Sequence, residues 1–134
     1  MISFSQVYKR YPGGHEALKN LSFTIAPGEM AFITGPTGAG KSTLLKLVAA
    51  IEKPSSGSVV VSGQNIGKLR RSAVPFLRRN CGLIFQDHKL LFDRNVLQNV
   101  ILPLDIAGLP RAESMKRARA ALDKVNLLGL EKAN

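Results

Sequence analysis

At 134 residues, 45% apolar and 21% charged, the chain is long enough for one domain with a buried core and too ordinary in composition for a disordered or fibrous class. Nineteen Lys and Arg against nine Asp and Glu give a net charge of +10, and residues 64–119 carry eleven basic and four acidic residues, so an acidic partner is expected. The longest apolar stretches, around Leu44–Ile51 and Val96–Leu104, are broken by Lys46 and Pro103 and fall short of the ~18 residues that span a bilayer. The opening MISFSQVYKRY holds no apolar signal region, and cytoplasmic residence is expected. Cys81, the one cysteine, excludes an internal disulfide and reads as a buried, inert thiol.

In chain order, Ile2–Tyr11 and Ala17–Ile25 read as strands of a hairpin, separated by the turn chemistry of Pro12, Gly13 and Gly14. Met30–Thr34 is short, apolar on both faces and followed at once by glycine, which suits a buried parallel strand. After Gly35–Gly40, the residues Leu44, Leu45, Leu47, Val48 and Ile51 recur at helical spacing until Pro54 and Gly57 stop them. Ser58–Ser62 is a β-branched strand, Leu69–Asn80 a loop with short helical turns, and Cys81–Gln86 a second strand candidate. Asn95–Ala107 predicts a helix interrupted near Pro103. A further helix is predicted from Arg111 to Leu127, with Glu113 and Arg117 spaced i,i+4 and Met115, Ala118, Leu122 and Val125 on one face.

The run Gly35-Pro36-Thr37-Gly38-Ala39-Gly40-Lys41-Ser42-Thr43 matches GxxxxGK[ST], between a predicted strand and a predicted helix. Glycines let several backbone N–H groups converge on phosphate oxygens, and the helix beginning at Lys41 turns its positive end toward the same anion. Lys41 is expected at the β and γ phosphates, Ser42 on Mg²⁺ and Thr43 near the phosphate closest to the sugar. Kinases, GTPases, helicases and transport ATPases share such a loop. What precedes it narrows the choice: small kinases and GTPases usually begin at the phosphate-loop strand, whereas here 34 residues with a strand hairpin come first.

Along essentially its whole length the sequence resembles the nucleotide-binding domain of ABC ATPases, an α/β phosphate-loop NTPase fold. The chain corresponds to the N-terminal portion: an antiparallel β subdomain, the phosphate-loop core and the start of a helical subdomain. Tyr11, thirty residues before Lys41, stands where that family stacks an aromatic ring on adenine, with Tyr8 as the register alternative. Gln86 resembles the family's Q-loop glutamine, whose amide touches Mg²⁺ or the attacking water. ATP and Mg²⁺ are the implied cofactors. FLRR and FQDHKLLFDRNV within Val74–Leu104 are most similar to the branch of the family that serves bacterial cell division. Lipoprotein-release and macrolide-export ATPases share the frame but usually lack the Asp-His and Asp-Arg pairs.

The resemblance implies a homodimer and an integral membrane subunit docked around Gln86–Leu104, with the ATPase peripheral on the inner face of the membrane. Leu90, Leu91 and Phe92 amid Asp87, Lys89, Asp93 and Arg94 suit such an interface. His88 reads as an exposed loop residue. The family's signature, Walker B strand, D-loop and switch histidine are not found among residues 1–134, so this stretch is expected to bind ATP without turning it over. Arg70, Arg71, Arg78 and Arg79, with Lys116, Arg117 and Arg119, form two basic clusters that read as solvated faces or contacts to anionic lipid. No aromatic residue interleaves with them as a base-stacking platform, and no nucleic acid is expected.

Overall fold

The hairpin forms as predicted. In the computed structural model, which describes all 134 residues, β1 (Ile2–Arg10) pairs antiparallel with β2 (Glu16–Ile25). β1 also pairs antiparallel with β3 (Ser56–Val61), and β3 with the two-residue β4 (Gln64–Asn65), giving the order β2-β1-β3-β4. Period-two alternation turns Val59 and Val61 to one face with Phe4, and a register shift between Phe4 and Val7 keeps Val7 on the same side, where all four are buried. Phe4 and Phe23 face each other across the first pair with their rings stacked, centroids 4.6 Å apart. Register shifts in the β1–β2 pair fall between Phe4 and Val7, between Val7 and Lys9, and between Lys9 and Arg10, the first of them adding a residue on β1. At that first shift Gln6 takes a left-handed φ of 48° and donates its N–H to Ser22 Oγ at 2.8 Å, so the Gln6 donor is not orphaned.

α1 (Lys41–Val48) lays Leu44 and Leu47 into the core that this sheet begins. Ile66 in a 3₁₀ turn and Leu77 of α2 (Val74–Arg79) complete it. These elements belong to the first of two units, Met1–Leu83; the second is Ile84–Asn134. In the second, α3 (Val96–Ile106) and α4 (Arg111–Lys124) pack through Leu97, Ile101, Ala118 and Leu122. Asn95 and Gln98 form a reciprocal capping box at the start of α3. The orphan N–H groups of Val96 and Leu97 donate to the carbonyls of Ala133 and Glu131 at 2.9 and 3.0 Å. No helix is long and apolar enough to cross a membrane.

Several expectations are overturned. Met30–Thr34 and Cys81–Gln86 are not strands: every strand pair in the fold is antiparallel and neither run joins one. An apolar run becomes a strand only if neighbouring backbone completes its ladder; without one, Phe32 is 86% and Ile84 96% exposed. Cys81 is half-buried against the first core and not fully enclosed. Pro103 sits inside α3 without interrupting it, since a missing N–H removes one bond while Ala107 N still donates to the Pro103 carbonyl at 3.0 Å. α4 ends at Lys124, short of Leu127, and Val125 beyond it is exposed, so the apolar stripe stops at Leu122.

Candidate functional site

The chain from Gly35 to Gly40 is a turn that delivers α1 at Lys41. Gly40 is the N-cap, at φ 93° and ψ 7°, with its carbonyl accepting from Leu44 N at 2.9 Å. No side chain caps the first turn and no acidic residue lies in it, which leaves an uncompensated positive helix end. Gly40 also lies against β2: a Cβ there would overlap the Ala17 carbonyl oxygen and come within 2.8 Å of Leu18 Cδ2. The hairpin ahead of the loop therefore supplies the wall on which the loop rests. At the other end of α1, Arg78 donates from its guanidinium to the carbonyls of Ala49 and Ala50 at 3.0 and 3.1 Å. The basic cluster is to that extent not a free solvated face, because Arg78 caps the negative end of the helix.

Lys41 Nζ donates to the carbonyls of Gly35 and Pro36 at 2.6 and 2.7 Å, so the ammonium group is held over the turn it follows. Pro36, Thr37, Gly38, Ala39 and Ser42 are exposed, whereas Thr43 is buried. Tyr11, just after β1, comes to this helix: its hydroxyl lies 3.3 Å from Thr43 Oγ1. Tyr8 pairs instead with Ser56 inside the sheet. Two residues whose role the sequence did not reveal stand behind Tyr11. Lys9 Nζ lies 5.0 Å from the ring centroid, and it donates to Glu52 Oε2 and the Lys53 carbonyl, both at 2.8 Å. The loop residues thus fit a polyphosphate: an unopposed helix start, an ammonium, an exposed hydroxyl on Ser42 and a nearby aromatic ring.

In the second unit, Gln86 is exposed at the head of a turn. Asp87 pairs with Lys89 at 2.6 Å, and that hydrogen bond, followed by the charge of Lys89, holds the Asp87 carboxyl below its ordinary value. His88 is exposed with a left-handed φ of 57°. Leu90, Leu91 and Phe92 are all exposed, Phe92 by 91%, yet their loop is fastened. Asn99 on α3 accepts from Leu91 N at 2.8 Å and donates to the carbonyls of Leu91 and Arg94 at 3.0 and 3.1 Å. This clamp was invisible in the sequence, where Asn99 is one more polar residue on a helix. No group of three or more His, Cys, Asp and Glu side chains forms a metal cluster.

A glycine turn opening onto a helix that starts with no side-chain cap, with a lysine folded over it, defines a phosphate-loop nucleotide-binding protein. More narrowly, residues 18–134 match the family model described as ABC transporter, and the chain belongs to that family. It is 56% identical over 128 residues to the cell division ATP-binding protein FtsE of Escherichia coli K12, covering 96% of this chain and 58% of that protein. Against FtsE of Bacillus subtilis the identity is 40% over 127 residues, covering 95% of this chain and 56% of the relative. A dimeric ATP-binding cassette in a post-hydrolysis state, bound to ADP and Pi, superposes with a TM-score of 0.89 at 31% identity, over 98% of this chain and 60% of that one. The chain thus spans under three-fifths of the length of these FtsE relatives.

Proposed function

We propose that the chain is the nucleotide-binding part of an ABC ATPase subunit acting in bacterial cell division, paired with an FtsX-like integral membrane subunit. The observation that carries this reading is the fit of Gly35–Thr43 and Tyr11 to a nucleotide, in a chain 56% identical to an FtsE. The N–H groups at the start of α1 hold the phosphates, with Ala39 N–H exchanging the Pro36 carbonyl, and Lys41 its two loop carbonyls, for phosphate oxygens, while Tyr11 offers a ring face to adenine. Ser42 supplies the hydroxyl that Mg²⁺ takes with phosphate oxygens, and the bound ion neutralises phosphate charge. Gln86 as a further contact to Mg²⁺ or the attacking water, and a homodimer as the working assembly, follow from the family resemblance. The signature and Walker B glutamate that the family uses to activate water are not found among residues 1–134, so these residues alone bind ATP without hydrolysing it.

Docking of the membrane subunit falls on Gln86–Leu104. A preformed apolar tip between charged residues matches an interface with an apolar centre and polar rim, and it would hold the protein peripherally on the inner face of the membrane. Calorimetric titration of ATP with Mg²⁺ into the Lys41→Ala protein tests the nucleotide assignment. Loss of a charged phosphate contact should cost ~1.5–3 kcal/mol, a drop in affinity of roughly ten- to 150-fold; unchanged affinity would overturn it.

A further inference from the structure

We propose that Lys9 is a positioning residue for nucleotide recognition, presetting the Tyr11 ring so that a purine base can use only its opposite face. The inference rests on the reading of Tyr11 as the base-stacking residue. Lys9 lies near the end of β1, two residues before Tyr11, and the chain as it leaves the strand brings the two side chains together. Its side chain is 12% exposed, little for a lysine, and its ammonium is fixed by two hydrogen bonds of 2.8 Å, to Glu52 Oε2 and to the Lys53 carbonyl.

Glu52 and Lys53 follow the end of α1, where the N–H groups of Ile51 and Glu52 both donate to the Lys46 carbonyl at 2.9 and 3.2 Å. The anchor of Lys9 is thus carried by the same helix whose first turn forms the phosphate site. From that anchor Nζ stands 5.0 Å from the Tyr11 ring centroid, inside the range in which an ammonium is attracted to a π face. The Tyr11 hydroxyl is tied to Thr43 Oγ1 at 3.3 Å. A ring held at its hydroxyl by one end of α1 and across one face by an ammonium docked at the other has little freedom to turn. Base and phosphate subsites are therefore set at a fixed separation by one helix, and less ordering remains to be done on binding.

The test compares ATP with inorganic tripolyphosphate, which reads the phosphate subsite without a base, by calorimetry on the intact protein carrying Lys9→Met, Lys9→Arg or Tyr11→Ala. Lys9→Met should weaken ATP about two- to five-fold, the scale of one exposed to partly buried cation–π contact, and leave tripolyphosphate unchanged. Lys9→Arg, which keeps a cation over the ring, should recover most of the loss. Equal weakening of both ligands by Lys9→Met, or of neither, overturns the proposal. If Lys9→Met leaves the ATP to tripolyphosphate ratio unchanged while Tyr11→Ala lowers it, stacking stands and the role of Lys9 falls. If Tyr11→Ala leaves that ratio unchanged, the stacking reading is wrong and the proposal falls with it. Should Lys9→Met fail to fold, Glu52→Gln, which loosens the anchor and leaves the ammonium in place, must give the same ligand-selective loss or the proposal is refuted.

Discussion

Gly40→Ala should be the most damaging alanine in the phosphate loop, and for a reason outside the loop. Two costs add. At φ 93° an alanine enters the left-handed region, at ~1–2 kcal/mol. Its Cβ would also overlap the Ala17 carbonyl oxygen and crowd Leu18 Cδ2 at 2.8 Å; the oxygen belongs to a paired strand and cannot swing aside, so ~1–3 kcal/mol of overpacking follows. The sum, ~2–5 kcal/mol, is a large share of a small domain's stability. Gly38→Ala is the matched control: φ is 83° and nothing lies within 4 Å of its Cβ, so only the ~1–2 kcal/mol backbone cost applies. Urea unfolding of the two variants, compared at constant m-value, should separate them by ~1–3 kcal/mol. Equal destabilisation would show that the loop does not rest on β2 and would refute the account of what the hairpin is for.

Three other expectations concern the second unit. Ser114 on α4 is fully buried with its hydroxyl unpartnered, so Ser114→Ala should raise stability by ~1 kcal/mol by removing a desolvated polar group, as urea unfolding would show; a loss of stability would reveal a missed hydrogen bond. The Glu131 carboxyl is held below its ordinary value of 4.5, first by the hydrogen bond from Arg119 and also by its charge. Its stabilisation is present above that pH and lost as pH falls through the lowered value. Glu131→Gln should accordingly show a smaller acid-induced fall in Tm than the parent, and an identical fall would remove the ion pair from the account. Charge reversal at Asp93 and Arg94 should abolish co-purification with an FtsX-like membrane subunit while leaving ATP affinity intact; unchanged association would move the interface away from the Leu90–Phe92 tip.

The features legible along the chain are local ones. The glycine spacing and the lysine that follows fixed the phosphate loop and the start of α1, turn residues fixed the hairpin, and a 3.6-residue apolar period fixed most of α4. Each follows from neighbours within a few residues, whose φ and ψ preferences and side-chain spacing are written in order along the chain. The remainder depends on contacts between segments far apart in the chain. Met30–Thr34 and Cys81–Gln86 have strand-like sequences, but a strand exists only where another backbone completes its hydrogen bonds, and neither run has such a neighbour. Arg78 caps a helix that ends some thirty residues earlier, and Lys9 meets Glu52 across 43 residues of chain. Asn99 clamps a loop eight residues away because α3 turns its side chain back toward it. Such contacts depend on sheet register and on how helices pack, which arise from the burial of Phe4, Val7, Leu47 and Val59 in one core.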